Sequence, residues 1–286
     1  MYQIREVTGY IGGECYLLCI GDSAVLLDSG FDFCGEQTVR NIKKALSSCT
    51  LEGILLSHSH YDHASGSATI RQAYPGAIVA AHPHARDVFA KPGAREVMRF
   101  MNSSAALGAG SRVQSDNIDK LQVDVTVKDG DTLTFGEIRV TALEAPGHTK
   151  CSLAWHFPDI GLLYPGETPG VAPTYPQIMP GIIINYNMTL STIDRLEGLQ
   201  SEQILAPHSG LIKENYKGEF FDLARAGARE IKELVWMLHC GGHDTDSICM
   251  ALKERYYSME FAKIQPEAAF DMNMRAMIPR IVEELS

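Results

Sequence analysis

The sequence predicts an α/β layered sandwich, a central pair of sheets with helices outside, followed by a helical C-terminal part. Three observations carry this. Short apolar runs punctuated by glycine turns recur along the first two thirds of the chain, and segments with helical spacing alternate with them. After about residue 213 the strand signals stop and helix formers dominate.

The elements follow in order. CYLLCI (15–20) and AVLLD (24–28), separated by Gly-Asp-Ser, suit a hairpin. A helical segment spans about 35–48, and GILLSHSH (53–60) leaves a buried strand for a polar loop. Further strands are read at AIVAA (77–81), LQVDVTV (121–127), LTFGEIRVTALEA (133–145) and CSLAWHF (151–157), with helices around 66–74, 83–101 and 189–200. The Asp-Gly pair in KDGDTLTFG is a turn signal that suits antiparallel pairing. Segment 92–117, rich in small residues and Met, reads as a flexible lid or as an ordinary surface excursion. Segment 165–181 holds five prolines without periodicity, so it reads as a rigid ordered loop, an inserted wall.

The C-terminal region, 214–286, reads as a helical subdomain on a sandwich of residues 1–213. FFDLARAGAREIKELVWMLH places Phe221, Ala224, Ala228, Ile231, Leu234, Val235 and Leu238 on one helical stripe. A second helix begins at the Asp-Thr-Asp-Ser cap region (244–247), and a third runs from about Pro266. Its Met272, Met274, Met277, Ile278 and Ile281 read as core or as the surface of a homodimer rather than as a cofactor box.

Composition narrows the function classes. The chain has 286 residues, 45% hydrophobic and 21% charged, which excludes disorder, collagen-like repeats and coiled coil. A net charge of −10 lacks the electrostatic footprint of a general nucleic-acid or anionic-membrane binder, though a metal can reverse the local field for a small anionic substrate. Seven scattered cysteines, at 15, 19, 34, 49, 151, 240 and 249, do not form a disulfide framework and favour a reducing cytoplasm. The N-terminal MYQIREVTGY does not read as a secretory signal, and the longest apolar runs are too short for a membrane span.

The strongest chemical signal is Ser-His-Ser-His-Tyr-Asp-His at 57–63. Three imidazoles and one carboxylate fall within six residues, directly behind an apolar strand. On a tight loop at a strand end, alternate side chains converge from one direction. His58 and His60 can take one metal, while Asp62 and His63 point to a neighbouring position. Nitrogen and oxygen donors without thiolate suit zinc, iron(II) or manganese. The alternative is a solvated His-rich loop.

His58 to His63, HSHYDH, matches the HxHxDH motif, and the chain here resembles the metallo-β-lactamase superfamily. The rest of that family's pattern occurs in chain order: APGHTKCSL supplies His148, LLYPGETPG supplies Glu167, and ILAPHSG supplies His208. The resemblance covers roughly residues 5–212. It implies a four-layer αβ/βα sandwich with a metal site at one edge. It also implies a ligand set of His58, His60, Asp62, His63, His148, Glu167 and His208 for two divalent transition metals, zinc first and iron or manganese next. One departure stands out, because Glu167 occupies a bridging position where the family usually has Asp. The added methylene moves the carboxylate outward and puts full dinuclear occupancy in doubt.

The resemblance further implies hydrolysis by a hydroxide held on the metals, with Asp62 both ligating and orienting or shuttling the proton. No GxSxG elbow competes with this reading. His60 at the second motif position argues against an oxygen-reducing diiron flavoprotein, and the missing cysteine argues against thiolate-using β-lactamases. The acidic balance argues against a nucleic-acid-processing branch. What remains is the group resembling glyoxalase II and the quinolone-signal thioesterase, with a helical extension over the pocket. A small-molecule thioester or ester is the expected substrate. Lactone or phosphodiester hydrolysis, or a catalytically weak ligand-binding module, are the alternatives. Of the other histidines, His82 and His84 are expected near the surface and His156 packed in a strand. His239 or His243 would touch substrate if the HCGGH break leans over the metals. Cys151 is read as core, and Tyr175 as the aromatic of the proline-rich wall that reaches substrate.

Overall fold

The protein is described by a computed structural model covering residues 2–112, 117–174 and 176–286. Its first sheet contains β1 (Tyr2–Glu6), β2 (Tyr16–Ile20), β3 (Ser23–Leu27), β4 (Thr50–Leu55), β5 (Ile78–Ala81) and β6 (Val125–Thr126), in that spatial order. The β2–β3 hairpin is antiparallel with Leu17 opposite Leu26, and from β3 to β6 the strands run parallel.

The rest of the β structure comprises β7 (Thr132–Phe135), β8 (Ile138–Glu144), β9 (Leu153–Phe157), β10 (Leu162–Tyr164), the hairpin β11 (Val171–Thr174) with β12 (Gln177–Met179), β13 (Gln203–Ala206) and β14 (Gly210–Leu211). The second sheet is ordered β14-β13-β10-β9-β8-β7, antiparallel except where β10 meets β13.

Both faces of both sheets are covered, which explains why the strands read as unbroken apolar runs rather than alternating ones. Leu18, Val25, Leu27 and Leu55 meet Ile138, Val140, Trp155 and Tyr164 in the layer between the sheets. Their neighbours Leu17, Ala24, Leu26 and Ile54 point the other way, under α1 (Gly35–Leu46), α2 (Tyr61–Ala64), α3 (Ser67–Ala73), α4 (Pro83–Phe89) and α5 (Pro92–Gly108). Over the outer face of the second sheet lie α6 (Tyr186–Glu197) and the start of α8 (Phe220–Cys240), the short α7 (Glu214–Lys217) lying between them in the chain. The chain ends in α9 (Thr245–Tyr256), α10 (Met259–Ile264) and α11 (Glu267–Leu285). These helices form a further core with α8, into which Val171, Met179 and Ile182 also insert. That is the four-layer sandwich with a C-terminal helical region. Among the described residues no helix is long and apolar enough to cross a membrane.

The local readings differ from the structure at several points. Segment 133–145 is two strands, because Gly136 at φ 52° turns the chain between Phe135 and Ile138. The Asp129-Gly130 turn lies before this hairpin, where Gly130 N–H donates to the Ala142 carbonyl. Helix 83–101 breaks at Ala90–Lys91, and Pro92 opens α5, where its missing N–H costs nothing. Residues 92–108 are therefore helical rather than an irregular excursion. They form a docked helix that buries Met98, Met101, Asn102, Ala105 and Ala106, while 113–116 lie outside the described residues. Within 165–181 the structure adds the β11–β12 hairpin. Asp244 caps α9 by accepting from Ser247 N–H, as its sequence suggests. On α11, Met274 and Met277 are buried, but Met272 is 45% exposed and belongs to a cavity wall rather than to the core.

Candidate metal centre

All seven motif side chains converge at one edge of the sandwich, where the strands of the two sheets end. After β4 a loop bent at Ser57 and Ser59 carries His58 and His60, and His60 (φ −68°, ψ 153°) stands at the N-cap of α2. The helix α2 then starts at Tyr61, and its single turn presents Asp62 and His63. His148 and Glu167 are placed by glycines that precede them. Gly147 has φ 133° and a Cβ there would stand 2.5 Å from Thr189 Oγ1, while Gly166 has φ 66° and a Cβ would stand 2.7 Å from the Leu153 carbonyl oxygen. His208 closes β13 in the left-handed region at φ 58°, and Asp28 closes β3 at φ 55°. Two of the four described non-glycine residues with positive φ thus sit at this centre, where strain tends to persist for function.

Two groups of donors result. His58, His60, His148 and Glu167 each bring a ligand atom within 4.8 Å of the others, and so do Asp62, His63 and His208. Glu167 Oε2 joins the groups: it lies 3.4 Å from His58 Nε2, 3.2 Å from His148 Nε2 and 3.2 Å from His63 Nε2. Asp62 Oδ2 lies 3.5 Å from His63 Nε2 and 3.7 Å from His208 Nε2.

Behind these atoms the rings are held by acceptors, and the acceptors decide the tautomers. The Gly181 carbonyl can only accept, so His148 Nδ1, 3.0 Å away, carries the proton. Asp28 Oδ2 accepts from His63 Nδ1 at 2.8 Å, and Glu14 Oε2 from His208 Nδ1 at 2.7 Å. Ser57 Oγ donates to Asp28 Oδ2 at 2.8 Å and so accepts from His58 Nδ1 at 3.0 Å. In neutral rings every inward Nε2 is then a bare lone pair. His63 Nε2 faces His208 Nε2 at 3.1 Å, and His148 Nε2 faces His60 Nδ1 at 3.0 Å. His58 Nε2 and Asp62 Oδ1 are buried and have no hydrogen-bond partner among the described residues. Lone pairs held against one another in a buried site fit cations between them, because nothing else satisfies them.

The electrostatics agree for His58 and His60. Burial, then the neighbouring His63, His60 and His148, push His58 well below its ordinary value, and burial with His148 lowers His60 to about 3. Both rings stay neutral, the form that binds metal. Burial raises Asp62. Burial would raise Glu167 too, but His148 and His63 overcome it and hold the carboxyl well below its usual range. Burial would lower His63 and His208, but Asp62 and Asp28 raise the first and Glu14 raises the second.

Sequence reasoning missed the supports. Asp28 accepts from Ser57 N–H, Ser57 Oγ, His63 Nδ1 and, at 2.7 Å, Tyr164 Oη, all of them buried. An aspartate ending the apolar run AVLLD was the available signal; Glu14, in Gly-Gly-Glu, offered none.

A cavity of about 310 Å³ opens beside the donors, floored by His60, Asp62 and Glu167 and walled by α4, α5 and α11. His239 and His243 are exposed and do not line it; Gln265, Met272 and Asn273 do. His239 ends α8, and His243 lies before α9, on a stretch of chain that turns to solvent instead of over the donors. His82 Nδ1 accepts from the His84 N–H at the start of α4, and His156 is half-buried in β9. Cys151 is buried and donates from Sγ to Ser59 Oγ at 3.3 Å. Tyr175 lies outside the described residues.

The family model described as "Metallo-beta-lactamase superfamily" matches residues 9–200. The chain belongs to that superfamily. His208 lies beyond the matched residues, and its place at the centre is seen in the geometry. A hydroxyacylglutathione hydrolase of Bartonella henselae is 26% identical over 119 residues, 42% of this chain and 34% of that protein. The acyl-coenzyme A thioesterase MBLAC2 of Bos taurus is 23% identical over 167 residues, 57% of this chain and 54% of its own. The matches thus span between a third and about half of these relatives' length. Among superfamily structures, a metallo-beta-lactamase family protein of Thermus thermophilus superposes with a TM-score of 0.68 at 18% identity, covering 99% of this chain and 93% of that one. A superfamily protein of Sulfolobus tokodaii gives 0.58 at 17% identity, covering 80% and 85%. Both share the fold.

Proposed function

We propose that the chain is a metal-dependent hydrolase of thioesters or esters. The observation that carries this is the Oε2 of Glu167 standing between two groups of lone pairs at the floor of an open cavity. His58, His60 and His148 would hold one divalent ion and Asp62, His63 and His208 another, with Glu167 between them. The nitrogen and oxygen donors suit zinc, iron or manganese alike, and zinc is placed first on the superfamily resemblance. Bound there, the ions would polarise a carbonyl and make water a nucleophile near neutral pH.

The chain's own residues supply orientation and proton handling. Asp62 Oδ1 has no hydrogen-bond partner among the described residues and Asp62 lines the cavity, so it can orient a water and take its proton. Asp28, Glu14 and the Gly181 carbonyl fix the rings so that no reorientation is needed during reaction. Thioesters lead because relatives are named for hydroxyacylglutathione and acyl-coenzyme A hydrolysis. Phosphodiesters rank lower, since no Lys or Arg among the described residues lines the cavity. We read 214–286 as a subdomain capping the sandwich of 1–213, supported by α11 in the cavity wall. All seven cysteines are free, which supports a reducing compartment.

Metal analysis of the purified protein, followed by thioester, lactone and phosphodiester panels, tests the reading. Two bound ions and turnover of thioesters are expected. A metal-free protein, or one that cleaves only phosphodiesters, would overturn it.

A further inference from the structure

The cavity beside the metal donors has a composition that selects among acyl groups. Its walls are Ala94, Met98 and Met101 from α5 facing Ala269 and Met272 from α11. Among the described residues no Lys or Arg lines it, and the carboxylates that do, Asp62 and Glu167, are at the floor and belong to the donor groups. Three of the five wall residues named are methionines, whose thioethers adapt to varied apolar shapes. Gln265 and Asn273 stand where this cavity adjoins a smaller space beside His148 and Glu167, and neither side-chain amide has a hydrogen-bond partner among the described residues. Apart from the donor His60, the other polar lining residues among those described are Ser59 and Tyr61, next to the donors in the chain, and the remaining wall is apolar.

We propose that this cavity takes the acyl chain of the substrate and selects an uncharged, apolar acyl group of medium length. This rests on the thioesterase reading and adds its specificity. A carboxylated or polyhydroxylated acyl group would leave its polar atoms unpaired against methionine and alanine, whereas a chain of methylenes gains from each one buried. At a volume of about 310 Å³ the space exceeds an acetyl group and falls at the lower end of ligand cavities.

The test measures binding of product-like carboxylates to the zinc-loaded protein by calorimetry, with acetate, octanoate and succinate. Octanoate has six more methylenes than acetate, each worth about two- to fourfold, so it should bind at least about 60-fold tighter. Succinate should gain nothing over acetate. Met272→Glu, at an exposed wall position, and Ala94→Trp, which fills the space, should bring the octanoate-to-acetate ratio close to one. Metal content and circular dichroism confirm that both variants are folded and loaded. Equal binding of octanoate and acetate by the unmodified protein, or an unchanged ratio in both variants, would overturn the assignment. The same protein is given acetyl and octanoyl thioesters of N-acetylcysteamine. Octanoate preference without turnover of either would overturn the hydrolase reading and keep the cavity assignment. Turnover at equal kcat/KM with no octanoate preference would overturn the cavity assignment and keep the hydrolase reading.

Discussion

Glu167 Oε2 lies 3.2 Å from His63 Nε2, although the two residues enter the centre from different sheets. The longer glutamate therefore still reaches the second group of donors from its place beside the first. If this oxygen is shared, Glu167→Gln should drop the metal retained after dialysis from two ions towards one and remove most of the activity. Glu167→Asp should even out the two affinities. Elemental analysis against dialysis time reads both. Unchanged stoichiometry in the Gln variant would show that the carboxylate does not bridge.

Replacing His60 and His63 together by Ala removes one donor from each group. The sandwich core does not depend on them, since its layers are built by the leucines, isoleucines and aromatics of the strands. The expected protein is metal-free and inactive, with the circular dichroism of the parent. Full activity without metal would refute the ligand assignment.

Asp28 offers the most informative substitution outside the donors. Asp28→Asn keeps the shape but places an amide where Ser57 Oγ, His63 Nδ1 and Tyr164 Oη all donate to Oδ2. Such supporting changes cost about 10- to 100-fold in metal affinity. Competition with a chelator should show that loss at the ion held by His63, with the other ion less affected. Tyr164→Phe removes a single donor and should cost about 1 kcal/mol of stability, measured by denaturant melts.

Gly147→Ala tests the placement of His148. At φ 133° with Thr189 Oγ1 2.5 Å from the new Cβ, the variant is strained twice over. A lowered Tm and weaker retention of the ion nearest His148 should appear together. A fall in Tm with metal affinity intact would separate the fold from the site at this position.

Several local elements were legible in the chain because they rest on short-range physics, and the candidate donors His148, Glu167 and His208 were legible through the resemblance. Hairpins need turn residues, α9 needs Asp244, and a cluster of imidazoles behind an apolar strand needs no partner to be recognised. Even so, patterning could not tell an irregular excursion from a helix docked by Met98 and Met101, since burial depends on what packs opposite. The tertiary structure alone decided which tautomers face inward, because that turns on acceptors brought from afar: Glu14 is 194 residues from His208, and Gly181 is 33 from His148. It alone put α11 against α5 over the donors and left His239 and His243 in solvent. A helical stripe specifies that a face is buried; only the assembled layers specify against what.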